Sequence, residues 1–208
     1  MVLVQTLDLQ KALGMKLIII EGANGTGKTV LAQQLAADLR YTAFIKDAYK
    51  EQCYDKLGGK PTLLQWYAIE KDSWRELYKT ITAMRDTDAP LIIEGDLKRK
   101  QYRIISRLVL DNTTVIEVFC FARGLLPFWR FVQRNRTGER HKGHLDYLGY
   151  GAVFIGTLIT RLGYDLFGPF GFSRNLITFD MTDFSNMQYS TLKQHIAQHL
   201  DECGIMEV

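Results

Sequence analysis

The chain has 208 residues, 47% of them hydrophobic and 24% charged, which is the length and composition of one folded domain. That excludes a disordered chain, a collagen and a coiled coil, and at this length about 70% of the unfolded surface is buried, so no disulfide or metal staple is needed. The formal charge of +3 conceals a division, because Lys98 to Lys142 carries eleven Lys/Arg against three Asp/Glu while the rest carries fifteen against twenty. A basic third beside an acidic remainder points to an anionic ligand.

Residues 1–14 read as an N-terminal extension, with no basic stretch before the apolar residues and with Asp8 among them, unlike a secretory signal. Lys16 to Glu21 is a short β-branched run that leads into a glycine loop, the pattern of a buried parallel strand. Lys28 to Arg40 has apolar residues at 31, 35, 36 and 39, a helical spacing, and Thr42 to Lys46 is a second strand. Residues 48–56 form a helix that Asp47 is placed to cap. Thr62 to Arg85 reads as a long amphipathic helix with Leu63, Tyr67, Trp74, Leu77, Ile81 and Met84 on one stripe. Pro90 opens a third strand, PLIIEG.

Residues 98–110 are helical and Thr114 to Cys120 is a fourth strand, with Cys120 in the core. Leu125 to Asn135 is a basic helix, 136–149 a polar loop, 150–162 a helix, Asn175 to Asp180 a fifth strand and 189–202 a last helix. The longest nearly apolar run, Gly151 to Thr160, is ten residues, where a spanning helix takes about 20. Cys53, Cys120 and Cys203 are odd in number and widely spaced, the usage of a reducing compartment. The expectation is a soluble cytoplasmic protein with one α/β domain spanning 1–208. Strands alternating with helices imply a five-stranded parallel sheet with helices on both faces and a ligand site beyond the carboxyl ends of the strands.

The strongest signal is Gly22-Ala23-Asn24-Gly25-Thr26-Gly27-Lys28-Thr29, which matches G-x-x-x-x-G-K-[ST] between a strand and a helix. The glycines permit a backbone turn whose N–H groups point inward as an anion nest, and the helix that begins there, with Val30 in its first turn, adds its dipole. Lys28 then reaches the β- and γ-phosphates of ATP or GTP, and the Thr29 hydroxyl ligates Mg²⁺.

Asp47 follows the second strand near this loop and suits a general base for a substrate hydroxyl. Lys50, one helical turn on, steadies an anionic substrate or pairs with Asp47. The third strand ends in Glu94 and Asp96, either of which can hold a magnesium-bound water; Glu94 is the first choice, since Asp96 is also placed to cap the following helix. Arg123, Arg130, Arg134, Arg136 and Arg140 follow the fourth strand, and guanidinium groups on a mobile segment close over a transferring phosphate and exclude water. His141 and His144 with Asp146 have the spacing of a partial zinc site but too few ligands and a basic setting. Lys98, Arg99, Lys100, Arg103 and Arg107 are either the solvated side of a helix or a surface for a polyanion such as nucleic acid. His195 and His199 read as surface residues.

Taken in order, GANGTGKT, IKDAYKEQCYDKLGG, LIIEGD, RFVQRNRTGERHKGHLD and FDMT resemble the small P-loop kinases grouped with zeta-toxin, chloramphenicol phosphotransferase and the kinase domain of phage polynucleotide kinase. The resemblance covers about residues 16–202. It implies a sheet of strand order 2-3-1-4-5, Asp47 as base, Glu94 supporting metal or substrate, Arg134, Arg136 and Arg140 as lid arginines, and residues near Asp180–Thr182 beside the adenine. The polynucleotide kinases' arginine after the aspartate has no counterpart after Asp47, and the toxins' sugar pocket is not recognisable. The leading expectation is therefore an ATP- and Mg²⁺-dependent phosphotransferase acting on a hydroxyl of a small molecule. The alternatives are a nucleotide or nucleic-acid 5′-kinase and a nucleotide-binding switch. Against the switch stand Asp47, the arginine segment and the lack of a recognisable water-positioning residue.

Overall fold

The computed structural model describes residues 14–59, 61–109, 112–138, 141, 154–155, 158, 175–183 and 186–202. In chain order the elements are β1 (Lys16–Gly22), α1 (Lys28–Leu39), β2 (Thr42–Ile45), α2 (Lys46–Leu57), α3 (Leu63–Asp86), β3 (Leu91–Glu94), α4 (Arg99–Leu108), β4 (Thr114–Phe121), α5 (Leu126–Thr137), β5 (Asn175–Asp180) and α6 (Asn186–Glu202). The five strands are all parallel, in the order β2-β3-β1-β4-β5.

β1 lies at the centre because its Leu17-Ile18-Ile19-Ile20 run is apolar on both faces. Ile18 pairs with Ile92 of β3 and Ile116 of β4, which puts matching apolar residues in register across three strands. Alternate residues then feed two cores. Ile18, Ile20, Ile116 and Val118 pack under Leu31 and Leu35 of α1 and Leu192 and Ile196 of α6. Leu17, Ile19, Leu91 and Ile93 pack under Leu77 and Ile81 of α3 and Tyr102 and Ile105 of α4. Cys120 is fully buried in the first core, as its apolar run implies. Truncating one of these fully buried branched side chains to Ala costs about 2–5 kcal/mol.

The element boundaries move in two places that matter for chemistry. β2 ends at Ile45 and Lys46 already belongs to α2, so Asp47 sits inside the first helical turn and Ile45 occupies the cap position. Asp47 is therefore not a cap. Its carboxylate is still well placed against the positive end of the helix dipole. In the same way α4 is capped by Lys98 without a side-chain bond, not by Asp96. The basic helix runs on to Thr137 and ends at Gly138, so the expected 136–149 loop begins two residues later than its composition suggests. Its remaining residues other than Gly138 and His141, and most of the expected helix 150–162, lie outside the described residues.

The long helix α3 starts with a capping box, in which Thr62 Oγ1 accepts from the Gln65 N–H and the Gln65 side chain accepts from the Thr62 N–H. Only part of the anticipated stripe is core. Leu77 and Ile81 are buried, but Leu63 and Tyr67 are 70% and 67% exposed and line the cleft.

Glu21 ends β1 on the same face as Leu17 and Ile19 and is almost fully buried. Burial pushes its carboxyl up to about 7; the nearby Tyr102 hydroxyl opposes the shift, and the charges of Glu117 and Asp96 add to it. A carboxyl whose pKa rises on folding stabilises the fold fully below its unfolded pKa and loses that contribution as pH climbs through the folded value. Glu21→Gln should remove this slope. Between about pH 4.5 and about 7.5 the parent should lose about 3 kcal/mol relative to the variant in urea unfolding, the free energy of a shift of this size. A pH-independent difference would show that Glu21 is ionised throughout.

Candidate functional site

The carboxyl edge of the sheet opens into one cleft of about 1860 Å³. A single small-molecule site takes roughly 300–1,000 Å³, so this volume accommodates two ligands side by side. One wall is the loop between β1 and α1. The other is made by α2 and the first turns of α3.

The loop has the backbone of an anion nest. Gly25 (φ 81°) and Gly27 (φ 97°) lie in the left-handed region, and a Cβ on Gly25 would sit 2.3 Å from the Pro127 carbonyl oxygen. Gly27 is the N-cap of α1, and no side chain caps that helix, so its first N–H groups remain directed into the cleft for an anion. Thr26 is buried and donates from Oγ1 to the Ala23 carbonyl at 2.8 Å, which closes the loop from inside. Asn24 through Val30 line the cleft. Gly22 and Ala23 do not; they shape the turn, with Ala23 O also accepting from Lys28 Nζ at 3.4 Å.

Lys28 is buried and its ammonium lies 3.7 Å from Glu94 Oε1. Burial pushes the Glu94 carboxyl above the usual carboxylate range, Lys28 works against that shift, and Asp47 and Lys46 are close enough to be felt. The second oxygen, Glu94 Oε2, is buried without a hydrogen-bond partner among the described residues. A buried acceptor at the end of β3, close to Lys28, fits a water of a hydrated divalent cation, and the open helix terminus with Lys28 fits a triphosphate.

Across the cleft, Lys50 Nζ bonds Asp47 Oδ1 at 3.3 Å and Glu70 Oε2 at 3.0 Å. Lys46 Nζ bonds Glu70 Oε1 at 2.8 Å and lies 4.4 Å over the Trp74 ring, whose Nε1 donates to the same Glu70 oxygen at 3.1 Å. Glu70 thus fastens α3 to the start of α2 and fixes where Asp47 stands. Burial alone would lower the Lys50 pKa, but Asp47 and Glu70 hold it above the ordinary lysine value. Burial alone would raise the Glu70 pKa, and the two lysines hold it below the usual range.

Lys46 and Glu70 were not legible as site residues. A lysine at a strand end and a glutamate in a long charged helix carry no local signal, and their partnership spans 24 positions. Glu70 falls seven positions after Leu63 on one helical face, and that spacing is the one available hint.

The arginines divide. Arg134 is exposed and lines the cleft, whereas Arg136, half a turn further on α5, is exposed and does not line it. Arg140 and His144 lie outside the described residues. Arg130 lines the cleft but spends its guanidinium on the Met181 and Thr182 carbonyls, at 2.9 and 3.1 Å. Arg123 pairs with Asp180 at 3.1 Å, and its N–H donates to Thr182 Oγ1. These two side chains hold the end of β5 against α5 and β4. His141 bonds Asp55 at 2.9 Å across the cleft mouth, and no group of three metal-ligating side chains occurs among the described residues. Lys98, Arg99, Lys100, Arg103 and Arg107 are all exposed while Tyr102 and Ile105 are buried, the pattern of an ordinary amphipathic helix. His195 is exposed, as expected, and His199 is half-buried.

No protein-family model and no curated protein matches the chain. Among solved structures it is similar to a "putative kinase" from Chloroflexus aurantiacus, at 27% identity and TM-score 0.76, over 89% of this chain and 98% of that one. It is also similar to a sugar kinase from Janibacter (17% identity, TM-score 0.57, 90% and 95% covered) and to shikimate kinase from Bacteroides thetaiotaomicron (15%, 0.53, 90% and 98%). The fold is that of the P-loop kinases, with the five-stranded parallel sheet in the 2-3-1-4-5 order.

The arrangement makes Glu70 the residue whose loss the site should feel most in stability. Glu70→Gln leaves two buried ammonium groups without their shared carboxylate. Urea unfolding at pH 7 should show a loss of about 3 kcal/mol, the low end for breaking a buried pair because Glu70 is 24% exposed. A loss under about 1 kcal/mol would mean the lysines find other partners or water.

Proposed function

We propose that this chain is an ATP-dependent phosphotransferase that moves the γ-phosphoryl group to a hydroxyl of a small molecule. The observation that carries the reading is the sharing of one cleft by the phosphate loop and Asp47, with room beyond for a second ligand. The kinase folds among its structural neighbours support it. The whole of 1–208 is read as one domain, with 1–14 as an extension and 136–149 as the lid, in the cytoplasm, where free thiols such as Cys53 and Cys120 persist. The grouping with zeta-toxin and chloramphenicol phosphotransferase rests on the aspartate after β2.

Each side chain then has a task. Backbone N–H groups of Gly25 to Val30 would hold the β-phosphate, and Lys28 would reach the γ-phosphate. Mg-ATP, when bound, would supply the phosphoryl group and leave as ADP. Thr29 Oγ1 would hold the metal, and Glu94 would hold it through a water. Asp47 would orient the acceptor hydroxyl and take its proton as that oxygen bonds to the γ-phosphorus and the bond to the oxygen that departs on ADP breaks. Lys50 fixes the direction of the Asp47 carboxylate through its 3.3 Å bond to Oδ1. Arg134, with Arg136 and Arg140 when the lid closes, balances charge on the transferring group.

Lys28→Ala should abolish binding of ATP by calorimetry and all turnover; an unchanged Kd would remove the loop from the site. Asp47→Asn should keep the ATP affinity and lower kcat at least about 10²-fold, the scale of acid–base help. Full turnover in that variant would leave Asp47 only a structural role beside Lys50.

A further inference from the structure

Glu70 has more hydrogen-bonding capacity than the fold uses. An ionised carboxylate offers about four acceptor positions, two on each oxygen. Oε1 takes the Lys46 ammonium at 2.8 Å and the Trp74 Nε1–H at 3.1 Å, which fills it. Among the described residues Oε2 takes Lys50 alone, at 3.0 Å. The Glu70 side chain lines the cleft and is 24% exposed, so the remaining position on Oε2 is open to a donor that arrives there. Burial alone would raise its pKa, yet the two lysines hold the group acidic, so at neutral pH this position belongs to a carboxylate.

The surroundings of Oε2 set what that donor belongs to. Lys50 Nζ bonds both Glu70 Oε2 at 3.0 Å and Asp47 Oδ1 at 3.3 Å, so the two oxygens are at most about 6 Å apart. The Asp47 side chain is 49% exposed and lines the same cleft. With O–H···O bonds of about 2.7 Å, a molecule that carries hydroxyls on adjacent or alternate carbons spans the two carboxylates. An ether oxygen in place of the second hydroxyl would set one acceptor against another and leave Oε2 without a donor.

Resting on the phosphotransferase reading, we propose that Glu70 binds the acceptor and that the acceptor is a diol. The hydroxyl that receives the phosphoryl group donates to Asp47, and a neighbouring hydroxyl donates to Glu70 Oε2. Glu70 is then a specificity-determining residue as well as the tie between α2 and α3. Its selection falls on the second O–H of the acceptor, whatever charge or apolar surface the rest of that molecule carries.

The test uses the full chain with a non-hydrolysable ATP analogue and three probes built on one ring: cyclohexanol, cis-1,2-cyclohexanediol and the monomethyl ether of that diol. Calorimetry should show the diol binding at least about tenfold more tightly than the ether or the simple alcohol, the factor that 1.4 kcal/mol confers. Glu70→Gln leaves one acceptor oxygen for two ammonium groups and an indole N–H, with no position for a ligand. In that variant the preference for the diol should shrink to about twofold or less, with the affinity for the ATP analogue unchanged. If Glu70→Gln does not fold, the comparison of diol with ether in the parent decides. Equal affinity for diol and ether, no binding by any probe, or a preference that survives in folded Glu70→Gln overturns the proposal. ADP release with ATP in place of the analogue separates the two readings. Preferred binding of the diol without transfer to any alcohol sinks the phosphotransferase reading and leaves the Glu70 assignment. Equal transfer to cyclohexanol and to the diol sinks the Glu70 assignment and leaves the phosphotransferase reading.

Discussion

Everything in the site hangs on the turn that leaves β1. Gly22 presses against the Cys120 carbonyl so closely that a Cβ would come within 2.1 Å of its oxygen, at φ 143°. Only glycine lets the central strand stay in register with β4 to its last residue and still peel away into the loop. From there the geometry is forced. The loop must curl beneath the start of α1, that helix must begin without a side-chain cap, and its free N–H groups must face the space above β1 and β3. The same departure brings Lys28 back over the end of β3, where Glu94 meets it.

On this frame a second constraint acts at right angles to the sheet. Glu70 takes two lysines of α2 and an indole N–H of its own helix α3 onto its two oxygens. Bringing three charged groups into partial burial costs desolvation that a loose geometry would not recover. The direction of the shifts argues that it is recovered, since Glu70 is held acidic and Lys50 basic in spite of burial. This ion-pair group ties α2 to α3 in the wall across from the phosphate loop, while Leu63 and Tyr67 at the start of α3 stay exposed.

The fold was largely legible in the sequence because its signals are local. The β-branched run at 16–21, the glycine loop and the spacing at 31, 35, 36 and 39 each report on a few neighbouring residues, and the alternation of strand and helix then limits the topology. The candidate cleft was legible in the loop and at Asp47 for the same reason, since both come from local motifs and both line it. What escaped depends on distance along the chain. Glu70 matters through Lys46 and Lys50, and nothing near position 70 announces them. Leu63 and Tyr67 fit an apolar stripe, and periodicity alone does not say that they line a cleft rather than the core. The capping role given to Asp47 and Asp96 failed because β2 and the turn after β3 pass into helix a residue or more away from where composition marks the change.

The basic third of the chain also changes meaning. Counted together, its arginines suggest one positive surface over the phosphates. In place, they serve three ends. Arg99, Arg103 and Arg107 on α4, with Lys100, are exposed opposite Tyr102 and Ile105, while Lys98 before them lines the cleft. Arg123 and Arg130 bind Asp180 and the Met181 and Thr182 carbonyls, so both are spent on the end of β5. Arg134 is left beside the loop as the free guanidinium among those described on α5 that line the cleft. Net charge counted along the chain therefore overstates how many cations of the basic third line the cleft, where the described ones are Lys98, Arg130 and Arg134, and the acidic remainder supplies Asp47, Glu51, Asp55 and Glu70 to the wall across from the loop, with Glu70 engaged by Lys46 and Lys50.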